Sequence, residues 1–221
     1  MTQLDVMPAV RPAGLRVRVY FTVKRLLDYV VCIPLIIMSL PLMFFISAAI
    51  FACNPGPVLF AQERDGYRGR KIRILKFRTM HLDADARLAA HLAANPEAAE
   101  EWARCFKLRR DPRLIALIGN FLRCSCLDEL PQLWNVVRGD MTLVGPRPFP
   151  EYHMAAFEPA FRRLRCTVMP GVTGLWQVDR GDNSLEHQIR LDSYYVNNIS
   201  FKLDAYVFLK TIQTVVTFRN C

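Results

Sequence analysis

The sequence lacks most of the short motifs by which common protein classes are recognised. Its 221 residues contain no Walker A loop, no Gly-x-Gly-x-x-Gly turn and no Cys-x-x-Cys pair, and the four histidines are not spaced for zinc ligation. These absences argue against P-loop and dinucleotide-binding folds and against a small zinc module. No internal repeat or low-complexity tract is present, so neither a solenoid nor a disordered chain is expected.

Charge is also absent from one long stretch near the N-terminus. Between Tyr29 and Gln62 no side chain is more ionisable than a tyrosine or a cysteine, and the 24 residues Val30–Cys53 are almost wholly apolar. As one helix this run would reach about 36 Å, and the hydrocarbon core of a bilayer is about 30 Å thick. The run therefore predicts a membrane segment, and it is too long for a secretory signal.

Two features predict that this segment bends and returns instead of crossing. Prolines 34 and 41 interrupt it, and the hydroxyl of Ser39 can bond to a carbonyl that a proline leaves free, so we expect a bend at Ser39 and Pro41. The positive-inside rule would keep both basic flanks in the cytoplasm. A straight transmembrane helix, with one flank outside, stays open as the alternative. The flanking cations are Arg16, Arg18, Lys24 and Arg25 before the segment and Arg64, Arg68, Arg70, Lys71 and Arg73 after it.

The rest of the chain predicts a mostly helical α+β fold. Two β-like runs, Val58–Glu63 and Lys71–Phe77, flank a polar loop with glycines and predict a hairpin. The last helical pattern, Leu203–Phe218, could pack on the core or lie along the membrane. Earlier helical patterns cover 83–92, 96–106, 114–122, 128–137, 151–165 and 184–195. The predicted parts are a basic tail at 1–23, a re-entrant membrane helix at 24–54 and a single cytosolic domain at 55–221, which holds the candidate catalytic residues described next.

The segment Leu127–Trp134 holds the densest group of candidate functional residues. Proline is tolerated in a helix only near its start, so Pro131 predicts a helix that begins at about Asp128, with Asp128 as its N-cap. Capping alone would account for that aspartate. However, Asp128 and Glu129 place two adjacent carboxylates at the positive end of a helix, where phosphate also prefers to bind.

Cations from separate parts of the sequence accompany this carboxylate pair. They are Lys76 and Arg78 at the end of the second β-like run, Arg123 just before the pair, and Arg147 in a Gly-Pro-Arg-Pro turn. A carboxylate that attacks a phosphate needs cations to offset the repulsion between them, and carboxylate oxygens suit Mg²⁺. The pattern predicts a phosphoryl-transfer site in which Asp128 and Glu129 are catalytic and also serve as Mg²⁺ ligands.

A series of further motifs follows along the chain in a fixed order. They are Phe60-x-Gln62-x-Arg64-x-Gly66-x-x-Gly69, Lys76-Phe77-Arg78-Thr79-Met80, Asp111-Pro112-Arg113, Gly119-x-x-Leu122-Arg123, Ser125-x-Leu127-Asp128-Glu129-Leu130-Pro131-Gln132-Leu133, Asn135-Val136-Val137-Arg138-Gly139-Asp140-Met141, Val144-Gly145-Pro146-Arg147-Pro148 and Pro170-Gly171-Val172-Thr173-Gly174-Leu175-Trp176-Gln177. Together they resemble the bacterial sugar transferase family, the monotopic polyprenyl-phosphate phosphoglycosyl transferases. The resemblance runs from about Lys24 to the C-terminus.

The resemblance implies a two-step transfer at the cytoplasmic face of the bacterial inner membrane. Asp128 would attack the sugar-linked phosphate of a UDP-sugar, release UMP and carry the sugar-phosphate until undecaprenyl (polyprenyl) phosphate accepts it, which initiates exopolysaccharide assembly. Glu129 would hold Mg²⁺. The sugar would be a hexose such as galactose or glucose, nucleic acid is not an expected partner, and a homodimer is left open. Phosphate binding is implied for Lys76, Arg78, Arg123 and Arg147.

Two positions depart from the family pattern. The family usually has arginine directly before the Pro-Gly-x-Thr-Gly loop, and this chain has Met169. The usual Gly-Arg-Asn after the Trp-Gln pair is replaced by Arg180-Gly181-Asp182-Asn183. Arg165 or Arg180 could replace the missing cation, and no catalytic role is assigned in this segment.

The rival interpretation is a non-enzymatic, membrane-tethered protein that binds anionic lipid or nucleic acid. Lysine and arginine together number 29, against 20 aspartates and glutamates, and such a surplus suits either partner as well as a phosphorylated substrate. This interpretation explains the charge and the anchor. It does not explain adjacent carboxylates among arginines, and the sequence has no basic stretch interleaved with aromatic residues.

Overall fold

A computed structural model describes residues 15–106, 108–179 and 184–217. Its longest element is helix α1, Leu15–Cys53, the one described helix that is long and apolar enough to cross a membrane. The predicted basic tail at 1–23 therefore overlaps the start of α1, and its residues 1–14 lie outside the described part of the chain. The division of the chain into tail, membrane helix and catalytic domain stays a prediction.

Helix α1 is continuous through both of its prolines, Pro34 and Pro41. A separation into two half-helices is therefore not confirmed. The hydroxyl of Ser39 donates a hydrogen bond to the Ile36 carbonyl at 3.0 Å. This carbonyl lies one residue before that of Ile37, which Pro41 leaves without its amide partner.

One face of α1 packs against the rest of the protein over most of the helix length. Its buried side chains recur four residues apart in the first half and again near the end, and half-buried Ile36 and Met43 continue the stripe through the middle. This spacing keeps them on one side of a helix. The other faces expose large apolar side chains, which include Met38, Phe44 and Phe45. The buried members of the stripe are Tyr20, Lys24, Asp28, Cys32, Ile46 and Ile50.

The predicted hairpin is confirmed, with strands β1 (Leu59–Asp65) and β2 (Lys71–Phe77) in antiparallel register. The second edge of β2 is covered by Asn135, whose side-chain amide donates to the Arg73 carbonyl at 2.8 Å and accepts from the Leu75 amide at 2.9 Å. A single buried asparagine thus makes the hydrogen bonds that a third strand would otherwise make.

The remaining elements confirm a mostly helical α+β fold. The pattern at 151–165 forms two short helices instead of one, because Glu158 precedes Pro159 and adopts an extended conformation. Short α8 was not predicted. The helices are α2 (Ala84–Ala94), α3 (Pro96–Cys105), α4 (Ile118–Cys124), α5 (Gln132–Arg138), α6 (Glu151–Met154), α7 (Pro159–Arg165), α8 (Leu175–Val178), α9 (Leu185–Asn197) and α10 (Phe201–Val216).

Helix α5 begins later than predicted, so the assignment of Asp128 as its N-cap was wrong. Leu127–Glu129 form a separate 3₁₀ turn, and Pro131 occupies the cap position of α5. Cys126 has a left-handed backbone conformation, with a φ of 58°, and the 3₁₀ turn that follows it takes up residues 127–129 before α5 begins. Gly139, with a φ of 93°, ends α5 as predicted.

Strands β3 (Thr142–Val144) and β4 (Gly171–Thr173) form a parallel pair that the sequence patterns did not predict. The pair is close because Gly145 faces Gly171, and a Cβ on Gly171 would lie 2.1 Å from the amide nitrogen of Gly145. The Gly145 amide donates to the Thr173 carbonyl at 2.9 Å, and the Gly171 amide donates to the Pro146 carbonyl at 3.0 Å. These bonds fix the Gly-Pro-Arg-Pro turn that follows β3.

Helices α9 and α10 hold the start of α1. Asp204 accepts hydrogen bonds from Tyr20 at 2.6 Å and from Tyr195 at 2.7 Å, and it pairs with Lys24 at 2.6 Å. We call these four residues the clasp. Helix α10 packs on the core through the fully buried Val207, one of its two predicted placements, and it leaves other apolar side chains exposed.

Candidate active site

Three separate segments bring the candidate residues together. The end of β2 supplies Lys76, the 3₁₀ turn after α4 supplies Asp128 and Glu129, and the turn after β3 supplies Arg147. The hairpin is held to α5 by Asn135, so the strand end and the carboxylate turn keep a fixed relation.

Glu129 is held by two cations. Its Oε1 lies 2.6 Å from Lys76 Nζ, and Arg147 binds both carboxylate oxygens, with Nη1 to Oε2 at 3.2 Å and Nη2 donating to Oε1. Burial alone would raise the pKa of Glu129, but Arg147 and Lys76 outweigh it and hold that pKa well below its usual range. Glu129 is therefore ionised, and its charge is compensated within the protein.

Asp128 lies in a different environment from its neighbour. Its side chain is buried, with Oδ2 at 3.7 Å from Lys76 Nζ, and no described residue donates a hydrogen bond to it. Burial raises the pKa of Asp128; Lys76 opposes the shift and the adjacent Glu129 adds to it. A carboxylate whose lone pairs are not engaged by donors is the more nucleophilic one of the pair, because it need not break hydrogen bonds before it attacks.

The two other predicted phosphate ligands lie in different places. Arg123 donates from Nε to Thr79 Oγ1 at 3.1 Å and lies near enough to Asp128 to lower its pKa. Arg78 instead binds the end of α1, with Nη1 at 2.5 Å from the side-chain oxygen of Asn54 and Nη2 on the Asn54 carbonyl. The structure places Arg123 on the side of the carboxylate pair and holds Arg78 at the end of α1.

Arg64 is a cation of the site that we did not predict from the sequence. Its Nη2 contacts the Gln62 side-chain oxygen, and its Nε is buried without a partner among the described residues. Burial and the neighbouring Arg147 lower the pKa of Arg64 to about 10. Strand alternation gives the missed signal, because Arg64 points to the same face of the hairpin as Lys76, which lies opposite Phe60.

The carboxylate pair is the candidate metal site. Within the described ranges no group of three or more histidine, cysteine, aspartate or glutamate side chains is close enough to hold an ion. Two adjacent carboxylates nevertheless form the donor set that binds Mg²⁺ together with substrate phosphates and water. Asp128 and Glu129 therefore fit a Mg²⁺ ion that arrives with a phosphate, and they do not form a closed metal cage.

Within the described part of the chain, neither departure from the family pattern places a side chain among these residues. Met169 lines a pocket of about 390 Å³ together with Tyr20, Lys24 and Arg25, and none of the candidate site residues lines it. The segment 180–183 lies outside the described residues. Arg165, one of the two suggested replacements for the missing arginine, is buried and pairs with Asp192 at 2.8 Å.

Comparison with known proteins gives one consistent result. The profile of the bacterial sugar transferase family matches residues 19–218. A UDP-galactose-lipid carrier transferase from Erwinia amylovora is 41% identical over 193 residues, which are 87% of this chain and 40% of that protein. The exopolysaccharide production protein ExoY from Rhizobium meliloti (strain 1021) is 37% identical over 212 residues, 96% of this chain and 91% of that protein.

A third relative carries a more specific name. The UDP-glucose:undecaprenyl-phosphate glucose-1-phosphate transferase from Caulobacter vibrioides is 41% identical over 144 residues, 65% of this chain and 48% of that protein. This chain therefore spans less than half of the Erwinia and Caulobacter relatives and about nine-tenths of ExoY. With a family profile that matches nearly the whole chain and relatives of this similarity, the protein belongs to the bacterial sugar transferase family.

Proposed function

We propose that this protein transfers a hexose-1-phosphate from a UDP-sugar to polyprenyl phosphate, with Asp128 as the nucleophile. The contrast between the two adjacent carboxylates carries the proposal. Glu129 is neutralised by Arg147 and Lys76, whereas Asp128 is buried beside them without a hydrogen-bond donor. The names of the relatives from Erwinia and Caulobacter support the two substrate classes, and that of ExoY supports a product destined for exopolysaccharide.

The site supplies what such a transfer needs from the protein. An oxygen of Asp128 bonds to the phosphorus that carries the sugar, and the bond from that phosphorus to the bridging oxygen breaks, so UMP leaves with the electron pair. An oxygen of polyprenyl phosphate then bonds to the same phosphorus, and Asp128 is released as a carboxylate. Lys76, Arg147 and Arg123 offset the negative charge that would otherwise repel the attacking carboxylate.

Magnesium fits this proposal as an ion bound jointly by the protein and the substrate. Asp128 and Glu129 would hold it, and it would neutralise phosphate charge when bound. The pairing of Glu129 with Arg147 and Lys76 keeps that carboxylate ionised, and these contacts would have to be shared or exchanged when it holds the ion.

We further propose that α1 enters the membrane from the cytoplasmic face and returns to it. Its stripe of buried residues runs from Tyr20 to Ile50 along the same domain. A straight transmembrane span would have to carry one end of that stripe about 30 Å away from the domain. With re-entry, both ends stay on the domain while the exposed apolar faces meet lipid, at a membrane surface where polyprenyl phosphate is available.

An assay of UMP release tests the proposed function. The protein in lipid nanodiscs would be given polyprenyl phosphate, Mg²⁺ and a panel of UDP-hexoses, and UMP would be measured with and without the lipid. We expect sustained UMP release only when a UDP-hexose and the lipid are both present. Binding of anionic vesicles or nucleic acid without UMP release from any sugar in the panel would favour the rival, non-enzymatic function.

A further inference from the structure

A group of aromatic side chains lies beside the candidate site and has no role in the chemistry described above. Tyr152 in α6 is 51% exposed, and its ring lies 6.2 Å from that of Trp102 and 5.4 Å from that of Phe106, between centroids. The guanidinium of Arg113 in turn lies 4.8 Å from the ring of Trp102. Tyr152 is therefore an aromatic surface that its neighbours hold in place and that solvent reaches.

The hairpin connects this aromatic surface to the carboxylate pair. Arg64 lies on the face of the hairpin that carries Lys76, and Lys76 pairs with Glu129 at 2.6 Å. At the other end of β2, Lys71 pairs with Asp65 at 2.6 Å and with Glu151 at 3.0 Å, which holds the start of α6, next to Tyr152, against the hairpin. The influence of Tyr152 and Glu129 on the pKa of Arg64 agrees with this placement.

Arg64 differs from the other cations of the site because no carboxylate among the described residues pairs with it directly. Among the described residues it forms no ion pair, its Nε is buried without a partner, and its one side-chain hydrogen bond goes to the neutral amide of Gln62. Arg147, by contrast, is paired with Glu129 through two bonds. A partly buried cation in this state is stabilised by an anion that arrives from outside the protein.

We propose that Arg64 and Tyr152 form the nucleotide subsite, in which Tyr152 stacks on the uracil base and Arg64 binds the diphosphate between that base and Asp128. This assignment rests on the proposed function. A nucleoside diphosphate combines a flat π-face, which Tyr152 can stack on, with an anion, which Arg64 can bind. A polyprenyl phosphate has no ring to stack. Trp102 and Phe106 support Tyr152 and do not contact the base.

Equilibrium binding of UDP without lipid acceptor tests the subsite directly. Tyr152→Leu keeps apolar bulk against Trp102 but has no π-face, so we expect the Kd for UDP to rise about tenfold. Tyr152→Phe should bind like the wild type, and Arg64→Gln should also weaken UDP binding by about tenfold or more. The matched control is Tyr194→Leu, a tyrosine of similar exposure on α9, which should leave the Kd unchanged.

The kinetic constants give a second readout. Tyr152→Leu should raise KM for the UDP-sugar and leave KM for polyprenyl phosphate unchanged. A Kd for UDP equal to that of the wild type, or an equal rise in both KM values, would overturn the subsite. UDP binding that depends on Tyr152 without any turnover would instead overturn the proposed function and leave the subsite standing.

A photocrosslink on the wild-type protein keeps the proposal testable if the leucine variant does not fold. Irradiation of the protein with 5-iodouridine diphosphate should modify Tyr152, and excess UDP should prevent the modification. Crosslinks confined to peptides that lack Tyr152 would contradict the assignment.

Discussion

At the scale of single residues, a substitution of Asp128 should affect turnover without affecting stability. Asp128→Asn keeps the shape of the side chain and removes the attacking oxygen, so we expect turnover to fall by at least about 10³-fold. No described residue donates a hydrogen bond to this carboxylate, so the melting temperature should not fall. UMP release and thermal unfolding, measured on one preparation, check both expectations. Exposed Asp85→Asn is the control, and near-normal turnover of Asp128→Asn would refute the nucleophile.

Glu129 should behave in the opposite way, because its charge is used to hold Arg147 and Lys76. Glu129→Gln leaves those two cations without their partner, and we expect a loss of about 1–3 kcal/mol in the free energy of unfolding at pH 7. The rate and its response to Mg²⁺ should weaken too. The double variant with Arg147→Gln should lose less stability than the sum of the two single variants. Additive losses would mean that the pair is not coupled.

The pKa of Glu129 also predicts how its contribution depends on pH. Since the folded protein holds this pKa below the usual value of 4.5, the contribution of Glu129 to stability is complete above pH 4.5 and is lost as the pH falls below it. Urea unfolding between pH 6 and pH 3 should therefore show a smaller loss of stability on acidification in Glu129→Gln than in the wild type. Equal slopes for the two proteins would contradict the pairing.

At the scale of elements, the path of α1 is open to direct measurement. Gly56 has a φ of 134°, which a cysteine would strain, so the native exposed Cys53 serves as the probe after the helix. An exposed Arg18→Cys serves before it. With all other cysteines removed, an impermeant thiol reagent should label neither site in intact cells and both after the membrane is opened. Labelling of either site in intact cells would indicate a straight span.

The clasp predicts which contact holds α1 to the domain. Asp204→Asn leaves Lys24, which is buried, without its ion pair, so the melting temperature should fall by several degrees. Because Asp204 is not part of the candidate active site, the kcat of the Asp204→Asn variant should equal that of the wild type at temperatures well below its melting point. Glu151→Gln is the control, because its pairs with Lys71 and Arg162 are exposed and such pairs contribute little. An equal fall in melting temperature in the two variants would mean that the clasp contributes no more to stability than an exposed ion pair.

The elements that the sequence predicts correctly are those with a sustained pattern. The hairpin and the longer helices have alternation or helical spacing over seven residues or more, and α5 ends at a glycine as expected. Strands β3 and β4 have three residues each, too few for a periodic pattern, and their pairing depends on the approach of Gly145 to Gly171. The late start of α5 depends on the positive φ of Cys126. Cysteine rarely adopts a positive φ, so the residue type gives no reason to expect a turn there.

Charge alone predicts only part of how the candidate site residues are placed, and their roles stay predictions. Lys76, Glu129 and Arg147 carry complementary charges that can only be satisfied together, and the structure brings them together. Arg78 has the same charge and a similar sequence position, yet it binds Asn54. Nothing local distinguishes an arginine that binds a helix end from one that faces a substrate, because the difference arises from the packing of α1.

At the scale of the whole molecule, the protein without its lipid acceptor should complete the first step of the proposed reaction and hold the covalent intermediate. With a UDP-sugar labelled in the β-phosphate and no lipid acceptor, we expect up to one label per protein, bound at Asp128. Addition of polyprenyl phosphate should remove the label into the lipid. The Asp128→Asn variant is the control for non-specific labelling. Transfer that proceeds without any trapped label would favour direct attack by the lipid.

The clasp also sets an order in time. Lys24 and Asp204 are 180 positions apart in the chain, and a ribosome adds about 5–20 residues per second. After Lys24 has been made, roughly 10–40 s pass before its partner exists. During that interval the helices that fix the start of α1 are still unmade, so closure of the clasp is a late event in synthesis. If α1 enters lipid as proposed, the membrane would hold it before the domain does.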